Sequence, residues 1–145
     1  IPMNPELLSL AENSDPKAVD LMMDFAHGPS GHFGGHPVPG LYHLNTGSML
    51  VQSKEIKDTL GVDFRACENY TNGFEAAKKL DLPTLSILAD KDRMCRLKDG
   101  QKLADHINGS EVHIIKNCGH MMLLEEADQT LAILKKFILE KYPNS

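Results

Sequence analysis

The sequence predicts an α/β fold in which a mostly helical layer over residues 1–80 precedes a strand, helix, strand, helix unit over residues 81–145. Three observations carry this. Leu85 and Ile87 alternate with Thr84 and Ser86 in a run too short for a helix. Val112, Ile114 and Ile115 make a second β-branched run, and between the two runs Leu97, Gly100, Leu103, Ala104 and Ile107 recur at helical spacing. A helical crossover between parallel strands brings both strand ends to one edge of the sheet, where binding and catalytic groups collect in open α/β folds. Each run here ends in a loop with reactive side chains, Asp90 and Asp92 after the first and His120 after the second.

Composition narrows the class. A chain of 145 residues with 41% hydrophobic and 24% charged residues has the balance of one ordinary globular domain. Fifteen basic residues against twenty acidic ones, without a basic cluster, argue against a nucleic-acid binder. The apolar runs are too short to span a bilayer and the amino terminus lacks a signal-peptide pattern, so a cytoplasmic protein is expected. Cys67, Cys95 and Cys118 are odd in number and without C-x-x-C spacing, which favours reduced thiols over disulfides or a thiolate metal site. The first residues, Ile1-Pro2-Met3, carry no initiator methionine, as expected of a piece of a longer product or of a processed chain.

Along the chain, Asn4-Pro5 and Asp15-Pro16 each pair a helix-capping side chain with a proline at the first helical position. The first helix has Leu7, Leu8 and Ala11 on one face, the second Val19, Met22, Met23 and Ala26. From His27 to Gly40, glycines and prolines break any regular element. His27, His32, His36 and His43 invite a metal reading, but His32 and His36 sit in non-helical sequence and share no helix face, so a surface or lid loop is favoured and no metal is expected. Residues 41–60 read as one or two helices with Gly61 as the stop and Asp63 capping the next. Ala66, Tyr70, Gly73, Ala77 and Leu80 give that helical segment its stripe, with a break at Asn72-Gly73. Asn108-Gly109 ends the crossover helix, and one long helix follows His120 to about Lys141 with Leu124, Ala127, Leu131, Leu134 and Ile138 as its buried stripe.

Read together, Ala89-Asp90-Lys91-Asp92 and Cys118-Gly119-His120 resemble the last part of the α/β-hydrolase fold, where the triad acid follows the penultimate core strand in a Gly-x-x-Asp loop and the histidine follows the last strand in a Gly-His pair. The flanks match as well: Leu82-Pro83-Thr84-Leu85 before the acid loop, Leu103-Ala104 in the crossover, and Met122 to Glu126 after the histidine. The resemblance implies a partial α/β-hydrolase fold, with residues 1–80 as a helical cap and 81–145 as the carboxyl-terminal core segment. It implies Asp92 as the orienting acid and His120 as the general base, with no cofactor. Asp90 is the rival acid; Asp92 is favoured because it holds the last position of the motif, although Ala89 stands where the family has glycine. The separation of Asp92 and His120 is 28 positions, close to the roughly 30 residues of a strand-helix-strand crossover.

Met22 and Met23 read as core, whereas Met121 and Met122, directly after the histidine, stay open between core and substrate contact. The family's nucleophile lies in a G-x-S-x-G elbow, and no such motif occurs in these residues. The expected function is therefore hydrolysis of a small ester, amide or related substrate by a chain that is inactive until a nucleophile is supplied. The alternative is a non-catalytic binding or self-associating module derived from a truncated relative. Two strands make a marginal sheet, so strand 83–88 is expected to pair with a partner chain, a second copy of this chain, or cap residues.

Overall fold

A computed structural model describes residues 3–29 and 59–143. Among these, residues 3–25 and 59–71 form one compact unit, and residues 26–29 and 72–143 form another.

In the first unit, helix α1 (Pro5–Glu12) starts as its sequence dictates, with Asn4 Oδ1 accepting the Leu7 amide at 3.0 Å. Helix α2 (Lys17–Ala26) follows a turn in which Asp15 Oδ1 accepts the Lys17 amide at 2.9 Å. Leu7, Ala11 and Ala18 are buried, and Leu10, Leu21, Met22, Phe25, Leu60 and Phe64 pack around them. Of the expected α2 stripe, Val19, Met23 and Ala26 are buried and Met22 is half-buried. Helix α3 runs Thr59–Asn69, which corrects the reading of Gly61 as a stop and Asp63 as a cap. Both lie inside the helix. Gly61 is buried against α1, where a Cβ would stand 2.8 Å from the Glu12 Cα, so its missing side chain serves close helix packing. Arg65 of α3 also pairs with Glu12 of α1.

The Asn72-Gly73 break is present, between α3 and the short helix α4 (Gly73–Ala77), but the expected stripe across it is not buried. Ala77 is; Tyr70 and Leu80 are 62% and 43% exposed. The residues expected to be helical at 41–58, and His32, His36 and His43, lie outside the described residues.

The second unit holds the crossover. Strand β1 (Leu85–Ala89) pairs in parallel with β2 (Glu111–Ile115), in register from Leu85 opposite Glu111 to Ala89 opposite Ile115. The connecting helix α5 (Leu97–Ala104) lies on β1 through Gly100, whose Cβ would come within 2.7 Å of Leu88 Cδ2. It ends at Ala104, earlier than the Asn108-Gly109 stop, which instead serves a following turn with Gly109 at φ +71°. Ala89, Ile115 and Cys118 form the core, with Ile87, Met122 and Ile133 packed against it.

The long final helix is two. Helix α6 (Met122–Glu125) and helix α7 (Ala127–Lys141) are separated at Glu126, whose φ of −137° and ψ of 53° are not helical. The buried Thr130 hydroxyl lies 2.8 Å from the Glu126 carbonyl and 3.1 Å from that of Met122, across the break. The buried stripe also differs from expectation: Leu131, Leu134 and Ile138 are 62%, 40% and 41% exposed, while Thr130 is buried and Ile133 reaches the core. The helix has apolar residues on two faces, and periodicity does not say which one meets the sheet. Among the described residues β1 pairs with β2 alone, and no helix is long and apolar enough to cross a membrane.

Candidate active site

The sheet register puts Ala89 and Ile115 side by side, so the loops that follow them start together. The ladder continues past both ends: the Asp90 amide donates to the Ile115 carbonyl at 3.0 Å, and the Lys91 amide to the Cys118 carbonyl at 2.9 Å. These bonds carry the acid loop and the histidine loop over the same edge.

Asp92 is 8% exposed and both of its oxygens are engaged. Oδ1 accepts the amides of Met94 and Cys95, each at 2.8 Å, and Oδ2 lies 2.9 Å from His120 Nδ1. A buried carboxylate with two amides on one oxygen is held in a fixed plane, and its other oxygen is aimed at the imidazole. The hydrogen bond to Asp92 raises the His120 pKa above the ordinary histidine value, partial burial opposes the rise, and the Asp92 and Glu125 charges add to it. With Nδ1 donating to Asp92, a neutral His120 has its lone pair on Nε2, and its side chain is 42% exposed. The pair can therefore accept a proton from a group brought to Nε2 and hold the imidazolium that results.

Asp90 sits two residues away with a buried Oδ1 that has no hydrogen-bond partner, and it is Asp92 that bonds His120. Met121 is half-buried at the start of α6, and Met122 lies partly buried against the Ala89, Ile115 and Cys118 core. The Cys118 thiol is pushed up to about 12 by burial, with Glu125 the largest of the charges adding to the shift, which leaves it unreactive as a nucleophile. His27 is buried, and among the described residues no group of histidine, cysteine and carboxylate side chains could hold a metal.

The histidine loop has supports that sequence reasoning missed. The Ala26 carbonyl accepts the amides of His120 and Met121, at 2.7 and 3.2 Å. The Glu125 carboxylate accepts the Gly28 amide, at 3.1 Å to Oε1 and 3.0 Å to Oε2, and the Gly119 amide at 2.9 Å to Oε2. Glu125 and Gly28 are 97 positions apart, and neither belongs to a periodic pattern, so no local signal joins them.

Comparison with solved structures agrees with this topology. A thermophilic esterase superposes with a TM-score of 0.73 at 26% identity, over 96% of this chain and 52% of its own. The fold is that of part of an α/β hydrolase. An α/β-hydrolase from Rhodococcus sp. strain RHA1, 2-hydroxy-6-oxo-6-phenylhexa-2,4-dienoate hydrolase, matches its fold with a TM-score of 0.73 at 18% identity, over 94% of this chain and 51% of its own. A proline iminopeptidase of Lactobacillus crispatus is 33% identical over 64 residues, 44% of this chain and 22% of that protein. No protein-family model matches. The chain thus spans about half the length of these α/β-hydrolase structures, and its match covers about a fifth of the curated relatives. The described residues hold a partial α/β-hydrolase fold, with a short two-stranded parallel sheet.

Proposed function

We propose that this chain supplies the acid and histidine side of a hydrolase active site, with Asp92 as orienting acid and His120 as general base. The 2.9 Å bond between Asp92 Oδ2 and His120 Nδ1 carries the reading. A hydroxyl nucleophile from another segment gives its proton to His120 Nε2 as its oxygen attacks the carbonyl carbon of a small ester or amide. The imidazolium, stabilised by Asp92, returns the proton to the departing alcohol or amine, and water then releases the acyl group by the same relay in reverse. No cofactor enters this scheme.

The likeness to esterases and a peptidase supports this substrate class. Residues 1–80 are the cap region in this reading, with Met121 and Met122 beside the histidine as candidate apolar contacts. The side of β1 that is unpaired among the described residues takes the nucleophile-bearing segment, a second copy of the chain or cap residues, because two strands alone make a marginal sheet.

Co-expression with the amino-terminal half of a related serine esterase tests the proposal. The pair should hydrolyse an activated ester and His120→Ala should abolish that turnover. A pair without turnover, or a His120→Ala pair at full rate, would overturn it.

A further inference from the structure

The strongest unassigned feature is the carboxylate of Glu125. It lies between two loops, accepting the Gly28 amide from the turn after α2 and the Gly119 amide from the residue before His120. The glycines themselves are in close approach: a Cβ on Gly28 would land on the Gly119 nitrogen and on Glu125 Oε2, and a Cβ on Gly119 would land on the Gly28 nitrogen. Neither position admits a side chain. The contact is completed two residues before Gly28, where the Ala26 carbonyl accepts the His120 and Met121 amides.

We infer that Glu125 is a positioning residue for His120, its carboxylate clamping the Gly28 and Gly119 amides so that the histidine loop is fixed where Nδ1 meets Asp92. The inference rests on the reading of His120 as general base. Two amides converging on one carboxylate form charge-assisted bonds, which are stronger than neutral ones and direction-specific. The backbone of His120 is then tied before its Cα by the Gly119 amide and its own amide and after it by the Met121 amide, so the ring's approach to Asp92 is set by the main chain. Asp92, on the loop after β1, and Glu125, on α6, are the charges that bear on His120. Loss of the Glu125 charge therefore has an electrostatic signature separate from loss of the clamp. Because Oε2 takes both amides, glutamine can offer that oxygen to Gly119 while removing the charge, with its NH2 group replacing the Oε1 acceptor of the Gly28 amide and weakening the bond there.

Nuclear magnetic resonance of the chain alone tests this without need of activity. In the unmodified protein the Gly28 and Gly119 amides should be protected and coupled across hydrogen bonds to the Glu125 carboxyl carbon; fast exchange at both would overturn the inference. Glu125→Ala should speed their exchange by roughly ten- to a hundredfold and remove the low-field His120 Nδ1 proton signal. An Ala variant that folds and keeps that signal would overturn the inference. Glu125→Gln should keep the signal and the Gly119 protection; loss of the signal in a folded Gln variant whose Gly119 amide stays protected would overturn it. An intact clamp in a chain that never supports ester turnover refutes the hydrolase reading alone. Turnover that survives without the clamp refutes the positioning role alone.

Discussion

Replacing Asp92 with asparagine should cost more activity than the small change in shape implies. Oδ1 already accepts two amides, from Met94 and Cys95, so the asparagine oxygen takes that place and its NH2 group faces His120 Nδ1. An NH2 donor there requires Nδ1 to accept, which moves the imidazole proton to Nε2 and removes the lone pair that serves as base. In the serine-protease template the corresponding exchange costs roughly 10⁴-fold in rate, about 5 kcal/mol. The assay is turnover of an activated ester by the chain complemented with a serine-bearing amino-terminal half, with circular dichroism to show that Asp92→Asn folds. The same variant should lower the His120 titration midpoint, because the hydrogen bond to Asp92 is the largest cause of its upward shift. An Asp92→Asn pair that keeps more than about a tenth of the rate would refute the tautomer argument.

Three further outcomes follow from other parts of the molecule. Gly61→Ala should destabilise the first unit by about 1–3 kcal/mol in urea titration despite alanine's better helix propensity, because the new methyl would meet the Glu12 and Ala11 backbone; a neutral or stabilising result would remove the close-packing explanation. Thiol labelling at mildly alkaline pH should modify exposed Cys67 first and leave Cys118 untouched until denaturant is added, since burial pushes that thiol up to about 12; early loss of the Cys118 thiol would contradict its placement in the core. The raised pKa of His120 means its bond to Asp92 adds stability that is fully present below the unfolded value of about 6.5 and is lost as pH rises through the higher folded value. With the side chain 42% exposed, that contribution is about 1 kcal/mol or less, and the stability gap between the native chain and His120→Asn should narrow as pH rises from about 6.5 through the raised folded value; a widening gap would reverse the sign of the argument.

The parts of this molecule that were legible in sequence are those set by short-range rules. The capping of α1 by Asn4, the two strands and the meeting of Asp92 with His120 follow from local side-chain chemistry and from the length of a crossover. What was hidden depends on contacts distant in the chain. Gly61 carries the local signal of a helix end, yet it lies in α3 because α1 comes too close for any side chain there. Leu131, Leu134 and Ile138 have the spacing of a buried stripe, but Thr130 and Ile133 are the residues that turn inward. The break at Glu126 is bridged by Thr130, and Glu125 finds its amide partner 97 positions away. Neither has a periodicity to reveal it.

The central claim is that His120 is held by Asp92 as a neutral base with its lone pair on Nε2. Nitrogen-15 shifts of the His120 ring, recorded above its titration midpoint, test it most directly. The account predicts a protonated, hydrogen-bonded Nδ1 and an unprotonated Nε2. A ring carrying its proton on Nε2, or one whose Nδ1 shift does not respond to Asp92→Asn, would contradict it.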